Sequence, residues 1–80
     1  MVTAIVLINT DHGAVSQVAK DLGAIPEVTE VLSVTGPYDL VVKIQVEAYE
    51  LMADVVTEKL TRVDGIVDST TLMSFRTYKF

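Results

Sequence analysis

The chain of 80 residues has no cysteine, no tryptophan and a single histidine. Without cysteine it forms neither a disulfide scaffold nor a thiolate metal site, and one histidine among scattered carboxylates lacks the ligand spacing of a zinc centre. No metal and no cofactor is therefore expected. Basic residues are also scarce: six Lys and Arg against eleven Asp and Glu leave a net charge of −5. With no basic stripe to neutralise phosphates, direct nucleic-acid binding is not expected. No stretch approaches the roughly 18 apolar residues that span a bilayer. The apolar run Ala4 to Ile8 lacks the basic flank and cleavage site of an export leader. A cytoplasmic protein with no membrane partner is the expectation. What the chain does have is aliphatic bulk, since 50% of its residues are hydrophobic and only 6% aromatic. A single domain of this size, spanning residues 1–80, buries only about 60% of its unfolded surface. The surplus is expected in an interface.

The periodicities alternate between two and about 3.6 residues. Thr3 to Asn9 is β-branched and apolar on both faces, as in a strand covered on two sides. Val15, Val18, Ala19 and Leu22 then fall at helical spacing over Ala14 to Leu22, with Gly23 as a left-handed end. After Pro26, a second strand is expected over Glu27 to Thr35, with Val28, Leu32 and Val34 as its apolar set. Gly36 to Asp39 turns the chain. Leu40, Val42, Ile44 and Val46 recur every second residue in a third strand, paired with the second as a hairpin. Ala48 to Val63 reads as one helix with Leu51, Met52, Val55, Val56, Leu60 and Val63 inward and Glu50, Asp54, Glu58 and Arg62 outward. Asp64 and Gly65 end it, and a last strand is expected over roughly Val67 to Phe75. Tyr78 and Phe80 in the following segment are candidates to pack or pair with another chain.

Leu22, Ile25 and Val28 recur as Leu60, Val63 and Ile66 at a constant offset, so each half is one βαβ unit. With right-handed crossovers this gives an α+β, ferredoxin-like β-α-β-β-α-β sandwich: four antiparallel strands with both helices on one face. The outer strands read as apolar on both sides, and two helices cover only one of them, which leaves the other face bare. A homodimer packed sheet to sheet is expected, and a charge at an inner-strand position such as Val6 is expected to give misfolded protein.

Little in the chain carries chemistry. His12 beside Asp11 has the residue types of an oriented base, but adjacent residues rarely point together and no nucleophile is placed by a motif; a turn residue before the first helix is the plainer reading. Glu50, Asp54 and Glu58 form an acidic ridge that is either a solvated face or a surface that excludes nucleic acid or meets a basic partner. The turn Gly36-Pro37-Tyr38-Asp39, expected between two central strands, offers backbone amides at a glycine and a carboxylate for an ammonium group, the pair of features a zwitterion needs. The same residues also suit a tight hairpin in which Asp39 bonds its own backbone. Ser69 and Thr71 share one face of the last strand, with Thr70 on the other. Either they are simply good strand residues, or they form a hydrogen-bonding wall for a small polar ligand at a subunit junction.

Val28, Val34, Thr35, Gly36, Tyr38 and Asp39, followed by Gly65, Ile66, Ser69 and Thr71, resemble the two motifs of the RAM domain. This is the effector-binding and oligomerising half of Lrp/AsnC transcription regulators. The resemblance covers nearly the whole chain, within PEVTEVLSVTGPYDLVVKIQVE and LTRVDGIVDSTTLMSF. It implies a domain that dimerises through its sheets, dimers that assemble into rings of eight or ten chains, and amino acids bound where dimers meet. Carried over by residue, Gly36, Tyr38 and Asp39 would hold the ligand's backbone groups, Pro37 would shape its side-chain selectivity, and Ser69 and Thr71 would supply polar strand contacts. The sequence departs from the family at Asp64, where a proline is usual, and shows no helix-turn-helix segment before the first strand. It thus resembles a stand-alone RAM protein, a regulatory, non-enzymatic module with full-length Lrp/AsnC regulators or an enzyme as candidate partners. The competing readings are a small dimeric ferredoxin-like enzyme and a purely structural assembly module.

Overall fold

A computed structural model describes residues 1–79. The strands are β1 (Val2–Thr10), β2 (Val28–Ser33), β3 (Leu40–Val46) and β4 (Ile66–Met73), with helix α1 (Val15–Gly23) after β1 and helix α2 (Tyr49–Asp54) after β3. They form one antiparallel sheet in the order β2-β3-β1-β4. The β-α-β-β-α-β architecture is the one the periodicities imply. No helix among the described residues is long and apolar enough to cross a membrane.

The core is an aliphatic layer between sheet and helices. Ala4, Val6 and Ile8 of β1 and Leu40, Val42 and Ile44 of β3 are fully buried against Val18 and Leu22 of α1 and Met52 of α2. Strict alternation along β3 sends Val41, Lys43 and Gln45 to the opposite, helix-free face. The doubly apolar strand β1 is an inner strand, not an outer one, and β2 is an edge, so the turn at residues 36–39 does not join two central strands.

Five local readings are corrected. In β2 a register shift between Val28 and Glu30 makes Thr29 an extra residue, so Val28 and Val31 both face the core while Leu32 turns to the bare face and is 48% exposed. A bulge of this kind inverts the two-residue period, which is why Val28 and Leu32 do not share a face. Gly23 lacks a positive φ; α1 closes instead through Ala24 N–H to Asp21 O and Ile25 N–H to Leu22 O before Pro26 stops it. The helix expected over 48–63 starts at Tyr49, widens into a π turn at Val55–Lys59 and tightens into a 3-10 turn at Leu60–Arg62. Thr57 and Thr61 hydroxyls donate to the carbonyls four residues back, Ala53 and Thr57, drawing on acceptors that regular helix hydrogen bonds use. Leu51, expected inward, is exposed. β4 begins one residue earlier than expected and ends at Met73; Phe75 has left the sheet and is exposed, as is Tyr78. Phe80 lies outside the described residues.

Candidate functional site

The connection from β2 to β3 is fixed at the carboxyl end of β1. Val34 N–H donates to Asp39 O at 3.1 Å, and Asp39 N–H donates to Ile8 O at 2.9 Å. The Asp39 carboxylate then turns to β1: its Oδ2 accepts the Thr10 backbone N–H at 2.9 Å, with the Thr10 hydroxyl at 3.4 Å. It therefore bonds the backbone of a neighbouring strand and not that of its own turn. Gly36 and Pro37 are exposed at the tip, while Tyr38 and Asp39 are half-buried at its base. Gly36 takes φ of +119°, open to glycine and strained for other residues.

Ser69 and Thr71 do share one face of β4, lying opposite Ile8 and Val6 of β1 and so on the helix side of the sheet; Thr70 lies opposite Leu7 on the bare side. Each borders a groove between β4 and the second helical segment. Ser69 lines one of about 410 Å³ with Leu60, Thr61 and Ile66, and Thr71 lines another of about 260 Å³ with Met52, Tyr49 and Met73. Val56 and Thr57 border both, so the two form one trough along the π turn.

The structure does not bring the two sets of residues together. Asp39 and Ser69 flank Ile8 from opposite sides of β1. With strands about 4.8 Å apart, they stand about 10 Å from each other within one chain. Neither groove is lined by Gly36, Pro37, Tyr38 or Asp39. Two participants carry no sequence signal. Thr10 lies 29 residues from the carboxylate it anchors, and Thr57 meets β4 only through the packing of the second helical segment.

His12 is exposed in the turn after β1, and neither it nor Asp11 makes a side-chain hydrogen bond among the described residues. The ridge Glu50, Asp54 and Glu58 is exposed. Among the described residues no cluster of His, Cys, Asp or Glu could hold a metal ion. The Lys59 ammonium, 2.8 Å from both Glu27 oxygens, holds Glu27 below its ordinary value.

Comparison with known proteins agrees with this fold. The family model described as the Lrp/AsnC ligand binding domain matches residues 3–80. An HTH-type transcriptional regulator of Pyrococcus furiosus is 35% identical over 80 residues, covering 96% of this chain and 53% of the regulator. The chain thus spans about half the length of the curated relatives it matches. A protein of Thermus thermophilus of known structure is 39% identical and superposes with a TM-score of 0.92 over 100% of both chains. AsnC of E. coli, at 21% identity, shares the fold with a TM-score of 0.92 over 99% of this chain and 54% of its own. A family-model match along nearly the whole sequence, together with a strand order of β2-β3-β1-β4 shared with solved structures of that fold, leads to one conclusion: this chain belongs to the Lrp/AsnC ligand-binding domain family.

Proposed function

We propose that the chain is an amino-acid-responsive assembly module of the Lrp/AsnC type. Two copies join through the helix-free sheet face, dimers associate into rings of eight or ten, and the ligand sits where dimers meet. Gly36, Pro37, Tyr38 and Asp39 of one chain would hold its backbone groups, and Ser69 and Thr71 of another would contact it through hydroxyls. The observation that carries this reading is the Asp39 carboxylate. One oxygen, Oδ2, anchors the loop to Thr10, while Oδ1 accepts no hydrogen bond among the described residues and is available to an ammonium group. The separation of Asp39 from Ser69 supports a site completed by a second copy, because one free amino acid does not bridge about 10 Å with its backbone groups.

The bare face supports the dimer. Ile5, Leu7 and Val41 lie at its centre with Leu32 and Leu72 beside them, the last two 48% and 49% exposed. A contiguous apolar surface of this kind marks an interaction site. A regulator of Neisseria meningitidis with the same fold was solved as a complex with L-Met, which supports an amino acid as the ligand class here. Because the curated relatives are transcription regulators, a regulatory role goes ahead of an enzymatic one. Ligand would act by favouring one assembly state over another, in this chain alone or in mixed assemblies with a full-length regulator.

The test is native mass and thermal melting of the wild type and of Asp39→Asn across the twenty standard amino acids. Asparagine keeps an acceptor for Thr10 and removes the charge. The expected result is one amino acid that raises the melting temperature and shifts the mass to a multiple of the dimer in the wild type alone. Twenty unchanged profiles would overturn the ligand reading and leave a structural assembly module.

A further inference from the structure

The described core contains no aromatic side chain; it is built from Ala, Val, Leu, Ile and Met. The described aromatics lie outside it, and two of these, Phe75 and Tyr78, follow β4. Ser74 N–H still bonds Thr3 O at 2.9 Å, after which the chain leaves the sheet with Phe75 102% and Tyr78 87% exposed. Arg76 and Lys79 alternate with them and are exposed as well. Large aromatic surface beside cationic groups is the composition of a binding segment rather than of a solvated end.

A complementary surface lies on the helix side of the molecule. A groove of about 470 Å³ runs between the start of β2, the end of β3 and the second helical segment. Val46 and Val55 form its floor and the exposed Leu51 a wall. Glu27 on its rim is neutralised by Lys59, the ion pair recorded among the described residues. Glu47 and Asp54, also on the rim, have no such partner and give the groove a net negative charge. The segment after β4 does not occupy it within the same chain. It departs from the β4 edge, with β1 lying between it and the strands that border the groove.

We infer that Tyr78 of one copy seats in this groove on a second copy, with Arg76 and Lys79 meeting Glu47 and Asp54. The match is apolar wall to aromatic ring and cation to carboxylate. It is a donor-and-acceptor contact between different surfaces, the kind that closes rings or extends chains, whereas a sheet-face contact joins like to like. The groove lies at the end of the β2-β3 hairpin beside the second helical segment, apart from Ile5, Leu7 and Val41 at the centre of the bare face, so the contact links dimers joined through that face. In that respect it rests on the dimer proposed above.

The experiment measures native mass by light scattering over a concentration series, in low and high salt. The samples are the wild type, Arg76→Glu with Lys79→Glu, Glu47→Lys with Asp54→Lys, all four together, and Tyr78→Ala. Every altered residue lies outside the core, so folding is preserved and checked by circular dichroism. The wild type is expected at a multiple of the dimer, each charge reversal and Tyr78→Ala at the dimer, and the fourfold reversal back at the multiple. High salt is expected to lower the wild-type mass. Variants that keep the wild-type mass, or a wild type that stops at the dimer, overturn the contact and leave the sheet-face dimer standing. A loss of melting temperature that is independent of concentration, without a change of mass, assigns the groove to the chain's own segment and likewise overturns it. A monomeric wild type overturns the sheet-face dimer together with this contact.

Discussion

Gly65 shows how one position ties the layers together. Its φ of +98° lies where side chains are strained, and a Cβ there would stand 2.8 Å from Val18 Cγ2 and 3.3 Å from Ala14 Cβ. Its carbonyl also accepts the Asp11 N–H at 2.8 Å, joining the start of β4 to the end of β1. Gly65→Ala should cost about 2–4 kcal/mol in denaturant unfolding, from backbone strain and overpacking together. Asp39→Ala leaves the Thr10 N–H without its acceptor and should cost about 1–3 kcal/mol, with faster hydrogen exchange at Thr10, while Asp39→Asn should cost less. Glu27 adds a pH dependence. Its carboxyl is held below the ordinary 4.5, first by the hydrogen bond from Lys59, so its contribution to stability is present above that value and is lost as pH falls through the lowered one. Glu27→Gln should therefore melt slightly below the wild type at neutral pH, and the two curves should converge in acid. A gap that widens in acid would contradict the pairing.

Among the elements, β2 and the second helical segment depart furthest from simple periodicity. The bulge makes Thr29 the one residue of β2 without a β3 partner, so its deletion restores regular alternation and leaves Val28 and Val31 on the core side. Deleting Leu32 instead pushes Val31 to the bare face and inverts everything before it. Chemical denaturation should place the Thr29 deletion within about 2 kcal/mol of the wild type and find the Leu32 deletion unfolded. The π turn was invisible to the periodicity because it changes the angular phase within a single turn. Met52, Val55 and Leu60 stay buried along the segment, while Leu51, in the regular turn before it, is exposed at the groove. The helix was legible as an amphipathic segment; where its wall would open was not.

For the whole molecule, substitutions on neighbouring residues of β1 should separate the core face of the sheet from the face proposed to join two copies. Val6 is fully buried under the helices, and Leu7 beside it is half-buried on the bare face. Val6→Asp places a charge in the aliphatic core and should abolish folding, at a cost beyond about 4 kcal/mol. Leu7→Asp should leave the far-ultraviolet circular dichroism intact and lower the native mass below the wild type's by breaking the proposed sheet-face contact. A Leu7→Asp protein with unchanged mass would show that this face does not carry the association.

Local order along the chain determined the succession of strands and helices, the aliphatic inner rows of β1 and β3, and the residue types of the candidate loop, because periodicity and turn chemistry act between near neighbours. Turn composition and alternation singled out Gly36, Tyr38, Asp39, Ser69 and Thr71 as candidates, and their joint role rests on the family resemblance. Only the tertiary structure decided that Asp39 grips Thr10, that a bulge turns Leu32 outward, and that Asp39 and Ser69 stand on opposite sides of β1. Each of these depends on which strands become neighbours and in what register, a choice made by burying one sheet face as a whole and by no short stretch of residues alone.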